Sequence, residues 1–361
     1  LGNYSRDSIR ILANHYSENK YFLYTPKKKK NNRLDFLNDL DNTFVRTPFS
    51  FIGNLFKTYW RSKNIVKDLL QDKIDIYHGL SHELPLSIEK TNIKTVVTIH
   101  DLIFIRYPEL FNRIDRKIYS YKFKSACERA DRIIAVSKQT KKDIIDFFNI
   151  PAEKIEVVYQ GCNNVFQKKL DKNKKDTICR KYNIPKNFIL YVGTIERRKN
   201  LLTLLKAISK LKNHHLVVIG KGKKYREECQ RFINTKKLES RVHFLSDLSV
   251  SEMSGIYQSA DLMVYPSIFE GFGIPILEAL FSRTPVITTK GGCFMEAGGP
   301  GSIYINPLSI KEMQENIERV LQDSNLSEKM RIEGLKHAQK FTDEKIAKHL
   351  INIYTELQQN I

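Results

Sequence analysis

Two glutamates stand eight residues apart in the second half of the chain, at Glu270 and Glu278. A short apolar strand precedes the first, and a helix is predicted to begin near Ile274. Peptide N–H groups at a helix start attract anions, and Gly271 and Gly273 remove side chains where a ligand must approach the backbone. We expect both carboxylates to face one cleft and to touch different parts of one ligand. The alternative is that one carboxylate stabilises the helix dipole while the other is solvated.

The elements that must position these residues alternate along the chain. Short apolar strands are followed by amphipathic helices, for example at 200–211 and 274–281, as in βα units around parallel sheets. The predicted strands are Thr95–Ile99, Arg132–Val136, Ile155–Tyr159, Phe188–Val192, Leu216–Ile219, Val242–Leu245, Leu262–Tyr265, Val286–Thr288 and Ser302–Ile305. This α/β pattern predicts two Rossmann-like, doubly wound parallel-sheet domains that face each other across a cleft.

The domain boundary is predicted in a polar, lysine-rich stretch at 163–186 that lacks a strand pattern. A chain of 361 residues exceeds the size at which one hydrophobic core stops growing. We therefore predict an N-terminal domain at 1–165, a linker at 166–186 and a C-terminal domain at 187–342. A last helix at 343–361 is expected to pack back on the N-terminal domain.

The chain opens with a predicted helix rather than with a strand. Asn3 is a suitable N-cap for a helix that runs to about Asn19. Because a doubly wound domain normally opens with a strand, we expect a first strand and part of a glycine turn to be missing before Leu1.

Composition narrows the class of protein. Hydrophobic residues make up 41 % of the chain, enough for two cores, and no apolar run approaches the roughly 20 residues of a membrane-spanning helix. The net charge of +20 attracts polyanions such as nucleic acid, anionic lipid or phosphorylated substrates, and its densest patch runs from Lys20 to Lys67 and includes Lys27–Lys30. Five scattered cysteines without a C-x-x-C predict reduced, buried thiols rather than a disulfide frame or a zinc site.

The segment around the two glutamates resembles the E-x7-E signature of retaining glycosyltransferases of family 4, which have the GT-B fold. Further segments resemble landmarks of the same family, in the expected order, and extend the likeness over essentially the whole chain. They are Leu1–Arg6, Val96–Leu102, Ala135–Lys138, Tyr191–Leu201, Val218–Gly222 and Thr284–Ile287. The resemblance implies a metal-independent hexosyltransferase that uses a GDP- or UDP-linked sugar as donor, needs no further cofactor and retains the anomeric configuration.

By this resemblance, the two glutamates divide the donor between them. Glu278 should accept hydrogen bonds from the ribose hydroxyls, for which a carboxylate with two acceptor oxygens is well suited. Glu270 should hold the hydroxyls of the sugar. It would be helped by the backbone N–H groups of Gly271, Phe272, Gly273 and Ile274.

The resemblance assigns the diphosphate to the first loop of the C-terminal domain. Gly193 would let the backbone approach the diphosphate, and Arg198 and Lys199 would supply compensating charge as it leaves. Thr194 stands where many relatives have an arginine, so whether Arg198 takes over that role is open. The alternative for the basic run is a solvated helix start.

In the N-terminal domain, His100 lies at the carboxyl end of a strand, where ligands bind in open α/β sheets. The resemblance places it near the donor sugar and the reacting centre, with Gly2 and Asp101 on the acceptor side. The alternatives are a structural histidine and an aspartate that caps a turn.

Three further positions are assigned to the donor. Gly220 follows a strand and would line the nucleotide side of the cleft, and Leu248, at the end of the 244–248 segment, would lie near the base. Glu296 resembles a loop glutamate of the family and is a weaker candidate for a contact with donor or diphosphate.

The stretch from Phe49 to Leu70 combines apolar residues at helical spacing with a basic face. Such a helix could lie on an anionic membrane and present the enzyme to a lipid-linked acceptor. The alternative is an ordinary core helix with a solvated charged face.

The leading interpretation is a sugar transferase of surface polysaccharide or glycolipid synthesis. It predicts a cytoplasmic protein, associated with the inner face of the cell membrane, that acts on a glycan or polyprenyl-linked acceptor. A sugar-nucleotide epimerase on the same scaffold and a non-enzymatic polyanion-binding protein are the alternatives. Nucleic acid is not expected as a partner because no recognition motif is present.

Overall fold

The computed structural model describes residues 2–27, 32–49 and 56–359. The chain divides into two compact units, one made of Leu1–Gln160 with Thr342–Ile361 and the other of Gly161–Phe341. The final helix, Asp343–Gln359, therefore belongs to the first unit. The domain boundaries predicted from the sequence remain predictions.

The described residues of the first unit contain six strands. A two-stranded parallel ribbon is formed by β1 (Tyr21–Tyr24) and β2 (Thr43–Arg46). A four-stranded parallel sheet has the order β3 (Ile76–Gly79), β4 (Lys94–Ile99), β5 (Arg132–Ala135) and β6 (Ile155–Val157). The fully buried runs of β4 and β5 are what a sheet covered on both faces requires.

Helices cover this sheet. Helix Gly2–His15 and helix Asp343–Gln359 bury their apolar sides against β4 and β5, in a cluster that includes Leu12, Val96 and Leu350. In the described parts of the first unit, the α-helices are Gly2–His15, Lys57–Tyr59, Ile65–Gln71, Ile103–Arg106, Arg113–Arg129, Lys138–Phe148 and Asp343–Gln359.

The second unit is built on one six-stranded parallel sheet. Its strands are β7 (Phe188–Val192), β8 (His215–Ile219), β9 (Val242–Leu245), β10 (Leu262–Tyr265), β11 (Val286–Thr289) and β12 (Ser302–Ile305). They run in the order β12-β11-β10-β7-β8-β9, which is the doubly wound Rossmann arrangement. The strand order reverses between β7 and β10, so a crevice is expected beyond the carboxyl ends of those two strands.

The helices of the second unit pack on both faces of its sheet, around a core that contains Tyr191, Leu204 and Val264. They are Lys172–Lys181, Leu201–Ile208, Lys224–Thr235, Val250–Ser259, Ile274–Phe281, Gly292–Gly298, Ile310–Gln322 and Ser324–Ala338. None of the helices in the described ranges combines the length and the apolarity needed to cross a membrane.

The predicted parallel α/β architecture is confirmed, and each of the nine predicted strands matches an observed one within two residues at either end. The strands β1, β2 and β3 were not predicted. Their residues are mostly half-buried, so they lack the continuous apolar signal of a central strand. The first helix begins at Gly2 and ends at His15, so Asn3 lies inside it and the predicted N-cap there was wrong.

The stretch predicted as a linker, residues 166–186, contains helix Lys172–Lys181 and lies in the second unit. This helix packs on helix Val250–Ser259, where a Cβ on Gly255 would stand 2.4 Å from Ile178 Cδ1. Glycine at this position allows the two helices to approach closely.

Part of the predicted basic helix at 49–70 falls on residues 50–55, and part of the basic patch falls on 28–30, both outside the described residues. From Lys57 onwards the segment is helical, with a π turn at Trp60–Asn64. Trp60 is buried, and its Nε1 donates to Asp68 Oδ2 at 2.7 Å. Phe56 and Tyr59 are exposed.

Candidate active site

The loops that follow β7 and β10 carry the two groups of residues that the sequence singled out. Because β7 and β10 are hydrogen-bonded neighbours in a parallel sheet, their carboxyl ends lie side by side. The backbone N–H of Ile268 donates to Arg198 O at 2.8 Å, which joins the two loops directly. The fold therefore brings Arg198 and Lys199 next to Glu270.

Four side chains converge on one oxygen of Glu270. Lys199 Nζ forms an ion pair with Oε1, and Arg198 Nη1 lies 3.0 Å from it. Ser267 Oγ donates to the same oxygen at 2.5 Å, and Tyr265 Oη donates at 3.0 Å. Within the described residues, Oε2 has no hydrogen-bond partner. One carboxylate oxygen is thus fixed by the protein, and the other is available to a ligand.

Charge compensation keeps this buried carboxylate ionised. Burial alone would raise the pKa of Glu270, but the neighbouring Lys199 and Arg198 outweigh burial and lower it. Burial would likewise lower the pKa of Arg198, whereas the carboxylates of Glu270 and Glu196 raise it. Arg198 Nη2 also donates to Glu196 Oε1 at 2.7 Å, so two cations face two carboxylates here. Arg198 and Lys199 are nevertheless the side chains whose donors suit the oxygens of a diphosphate.

Asn200 fixes the basic loop in place. It adopts a left-handed backbone conformation with φ of 59°, which asparagine tolerates better than most residues. Its Nδ2 donates to Pro266 O at 3.2 Å and to Pro307 O at 2.7 Å. Asn200 therefore ties the Arg198–Lys199 segment to the end of β10.

Gly220 and Gly222, in the loop after β8, allow this loop to touch the loop after β7. A Cβ on Gly220 would lie 2.0 Å from Gly193 O, and a Cβ on Gly222 would lie 2.5 Å from Ile195 O. Gly193 itself has φ of 150°, a region that favours glycine. Thr194, the residue after Gly193, is exposed. Gly220 thus has a packing reason that is independent of any donor contact.

Helix Ile274–Phe281 begins with its N–H groups pointing toward the loop. Gly273 is the N-cap, with φ of 111°, and Pro275 occupies the first turn. In the described part of the chain, the N–H groups of Gly273 and Ile274 donate no hydrogen bond. Gly271 and Phe272 lie in the same loop, and the side chain of Phe272 is buried.

Glu278 lies about one turn into this helix and is half-buried. Tyr257 Oη, on helix Val250–Ser259, donates to Glu278 Oε2 at 2.7 Å. Burial, followed by the nearby carboxylate, raises the pKa of Tyr257 well above its ordinary value, so the tyrosine stays a hydrogen-bond donor. Leu248 is half-buried between β9 and that helix.

His100, in the first unit, is buried and bound through both ring nitrogens. Nε2 lies 3.0 Å from Leu80 O, and Nδ1 lies 3.0 Å from Gln160 Nε2. These partners fit a neutral ring that donates from Nε2 and accepts at Nδ1. Burial lowers the pKa of His100 to about 4, and the edge of its ring meets Tyr4 at a centroid distance of 4.6 Å.

Of the two acceptor-side candidates, Asp101 has a local structural role. Asp101 Oδ1 accepts from the Ile103 N–H at 3.1 Å at the start of helix Ile103–Arg106, so it caps this turn. Gly2 is exposed at the beginning of the first helix.

Several residues of the cluster were given no role from the sequence, although Tyr265, Ser267 and Asn200 lie within the segments that resemble family landmarks. Tyr265 and Ser267 bind Glu270, Asn200 fixes the basic loop, and Tyr257 binds Glu278. Their polar atoms are buried, and burial follows from the tertiary structure.

No three histidine, cysteine, aspartate or glutamate side chains of the described ranges come together in an arrangement that could hold a metal ion. Glu296 lies in helix Gly292–Gly298, where its carbonyl is 2.8 Å from His337 Nε2. All five cysteines are free thiols, and four of them are buried.

Comparison with protein families matches both halves of the chain. Residues 9–164 match the family described as Glycosyltransferase Family 4. Residues 174–337 match the family described as Glycosyl transferases group 1.

Individual relatives agree with the family matches. The O-antigen chain mannosyltransferase RfbU of Salmonella typhimurium is 32 % identical over 242 residues, which cover 67 % of this chain and 63 % of that protein. The aligned region is thus a little under two thirds of that relative's length.

Solved structures share the fold. A glycosyltransferase from Rickettsia africae superimposes with a TM-score of 0.80 at 20 % identity, covering 100 % of this chain and 96 % of that one. Anabaena HepE in complex with UDP and glucose gives 0.77 at 18 % identity, covering 97 % and 95 %. The structural likenesses show that the chain has the GT-B fold. The family matches over residues 9–164 and 174–337 show that it belongs to the family 4 glycosyltransferases.

Proposed function

We propose that this glycosyltransferase moves a hexose from a nucleoside diphosphate sugar to a hydroxyl group of a glycan or polyprenyl-linked acceptor, with retention at the anomeric carbon. The observation that carries the proposal is the convergence of Arg198 and Lys199 on Glu270, with Glu270 Oε2 left open, beyond β7 and β10. This crevice is where ligands bind in doubly wound sheets.

The chemistry needs a group that stabilises the departing diphosphate. In the proposed reaction the bond between the anomeric carbon and the diphosphate oxygen breaks, and a bond to the acceptor oxygen forms on the same face. The acceptor's proton passes to the leaving phosphate. Arg198 and Lys199 would stabilise the negative charge that develops on that phosphate, together with the N–H groups of Gly273 and Ile274.

The remaining donor contacts follow from the same arrangement. Glu270 Oε2 would accept hydrogen bonds from the sugar, and Glu278 would accept them from the ribose. Gly193 and Thr194 follow β7, Gly220 follows β8 and Leu248 lies after β9, and all four remain proposed donor contacts. Gly271 and Phe272 line the loop before helix Ile274–Phe281 and are also proposed donor contacts. His100 stays a proposed catalytic residue of the first unit, and Gly2 and Asp101 stay proposed acceptor-side residues.

Mannose is the sugar we propose first, because RfbU, which is 32 % identical over the aligned region, is described as a mannosyltransferase of the O-antigen chain. A glucose donor is the second choice, since the HepE structure contains UDP and glucose. The acceptor would then belong to surface polysaccharide synthesis.

We also propose a peripheral contact with the inner face of the cell membrane. Helix Arg113–Arg129 exposes Ile114 at 69 % and Tyr121 at 73 % of their surfaces. Basic residues lie close to them in the sequence, at Arg116 and Lys117. Exposed apolar groups beside cations are suited to an anionic lipid surface. Vesicle co-sedimentation at low salt should show binding to anionic vesicles but not to neutral ones; equal recovery with both would count against this contact.

A donor screen tests the transferase assignment. Thermal unfolding of the full chain should shift upward selectively with GDP-mannose or UDP-glucose, and the same donor should label an acceptor with radioactive sugar. A shift with NAD would contradict the assignment, and equal shifts with every polyanion would favour a binding protein. Conversion of the donor to its epimer without an acceptor would favour the epimerase alternative.

A further inference from the structure

A cavity lies near the amino end of β11 in the second unit's sheet. Helix Ile274–Phe281 ends in a turn through Ser282 and Arg283 that leads into the amino end of β11. The cavity beside this turn has a volume of about 340 Å³. Because the β7 and β10 loops described above follow the carboxyl ends of their strands, the cavity is separate from the Glu270 cluster.

The titratable side chains that line the cavity are mostly cationic. They are Lys169, Lys175, Arg283, Arg331 and Glu328. Arg331 Nε lies 3.9 Å from Glu328 Oε2. Within the described residues, the side chains of Lys169, Lys175 and Arg283 form no ion pair. Like charges gathered around one space repel each other, so an anion in this space would lower the electrostatic energy.

A buried hydroxyl at the cavity also lacks a partner. Ser282 is 6 % exposed and lines the cavity, yet its Oγ makes no hydrogen bond with any described residue. Buried polar atoms are nearly always hydrogen-bonded, so an unsatisfied one calls for a missing partner. An anionic oxygen would accept from this hydroxyl.

Arg331 is already held in place at the wall. Its Nη1 donates to Arg283 O at 2.7 Å, so the guanidinium is fixed across the turn before any ligand arrives. A fixed guanidinium loses less conformational entropy on binding than a free side chain. Two arginines near two lysines are a set that recognises phosphate oxygens.

We infer that this cavity binds a phosphate-type anion, at a site distinct from the donor site. The ligand class is a phosphate monoester or diester, either on a soluble molecule or on the headgroup of a lipid. The lysine-rich stretch at 163–186 thereby gains a role, since Lys169 and Lys175 come from it.

Calorimetric titration of the full chain with inorganic phosphate tests this inference. The double variant Lys169→Ala/Arg283→Ala should lose one binding site, or bind at that site at least about tenfold more weakly, and Ser282→Ala should weaken it severalfold. The matched control Lys336→Ala/Lys340→Ala removes the same charge from exposed residues outside the cavity and should bind as the wild type does. Equal weakening in both double variants, or no change in the first, would overturn the inference.

Vesicles separate the two sources of phosphate. If the double variant also sediments less with phosphatidylglycerol vesicles than the control variant, the ligand is a lipid headgroup. If only the phosphate titration changes, the ligand is soluble. Melting curves of all variants establish that they are folded, and donor-dependent transfer, assayed separately, reports on the proposed function alone.

Discussion

The hydroxyl group of Tyr257 donates a hydrogen bond to Glu278 Oε2 at 2.7 Å. Tyr257 is completely buried, and its ring meets the ring of Phe166 edge-on at 5.4 Å. A rigid donor therefore holds one oxygen of the carboxylate that we assign to the ribose. Tyr257 is thus a positioning residue for donor binding.

Tyr257→Phe should raise the donor KM while leaving kcat within about twofold. A hydrogen bond to a charged group contributes about 1.5–3 kcal/mol, so we expect a rise in KM on the order of tenfold. Tyr304→Phe is the matched control, because Tyr304 Oη donates to Gly299 O in another part of the unit. An unchanged KM in Tyr257→Phe would remove either this hydrogen bond or Glu278 from donor recognition.

Glu270→Gln should lower kcat by about 100-fold or more, the size expected when a preorganised electrostatic contact is lost. The substitution removes the anion that Arg198 and Lys199 share, so some loss of stability will accompany it. Activity is therefore to be measured well below the melting temperature of the variant. Turnover within about twofold of the wild type would exclude Glu270 from the site.

Lys199 and Lys221 lie on neighbouring loops and form a matched pair for substitution by alanine. The side chain of Lys199 is 12 % exposed and pairs with Glu270, whereas that of Lys221 is 68 % exposed and pairs with Asp247. Lys199→Ala should lower kcat/KM by about 100-fold, and Lys221→Ala should change it by less than about threefold, since exposed ion pairs contribute little. If steady-state kinetics showed the same loss of kcat/KM in both variants, the loss would come from the change in net charge and not from the contact of Lys199 with Glu270.

Gly220→Ala should destabilise the second unit by about 1–3 kcal/mol, the usual cost of overpacking. The added Cβ would lie 2.0 Å from Gly193 O, so the first two loops would have to separate. Gly2→Ala is the control, because a Cβ there would only touch Arg6 at 3.5 Å. Urea unfolding measures the stability of both variants. Equal unfolding midpoints for Gly220→Ala and Gly2→Ala would contradict the close approach of the two loops.

The buried histidines of the first unit predict a loss of stability in mild acid. Burial lowers the pKa of His78 to about 3 and that of His100 to about 4, whereas an unfolded histidine titrates near 6.5. Below about pH 6.5 the unfolded chain therefore takes up protons that the folded chain does not. The free energy of unfolding should fall by up to about 1.4 kcal/mol per pH unit for each histidine as the pH decreases toward 4.

A substitution isolates one of these contributions. His78 bonds Tyr354 Oη and Thr98 Oγ1 through its two ring nitrogens, at 2.6 and 2.7 Å. Urea denaturation of His78→Gln at pH 7 and pH 5 should show a smaller difference than the wild type does. The exposed His15→Gln should retain the full difference, and an identical slope in all three proteins would refute this origin of acid sensitivity.

The sequence by itself determined the architecture and the main charged residues of the second unit. Fully buried strands such as Phe188–Val192 and Leu262–Tyr265 are continuous apolar runs between turn signals, so local pattern specifies them. The glutamate spacing and the basic run after the first strand of that unit were equally local. They indicate the chemistry of the site without reference to the tertiary structure.

Only the tertiary structure decided which atoms meet. Strand order places the β10 loop beside the β7 loop, although about 70 residues separate Lys199 from Glu270. The convergence of Tyr265 and Ser267 on one carboxylate oxygen, and the bond from Tyr257 to Glu278, depend on burial and long-range packing. A one-dimensional pattern carries no such information, because the order of parallel strands is set by how the helices cover both faces of the whole sheet.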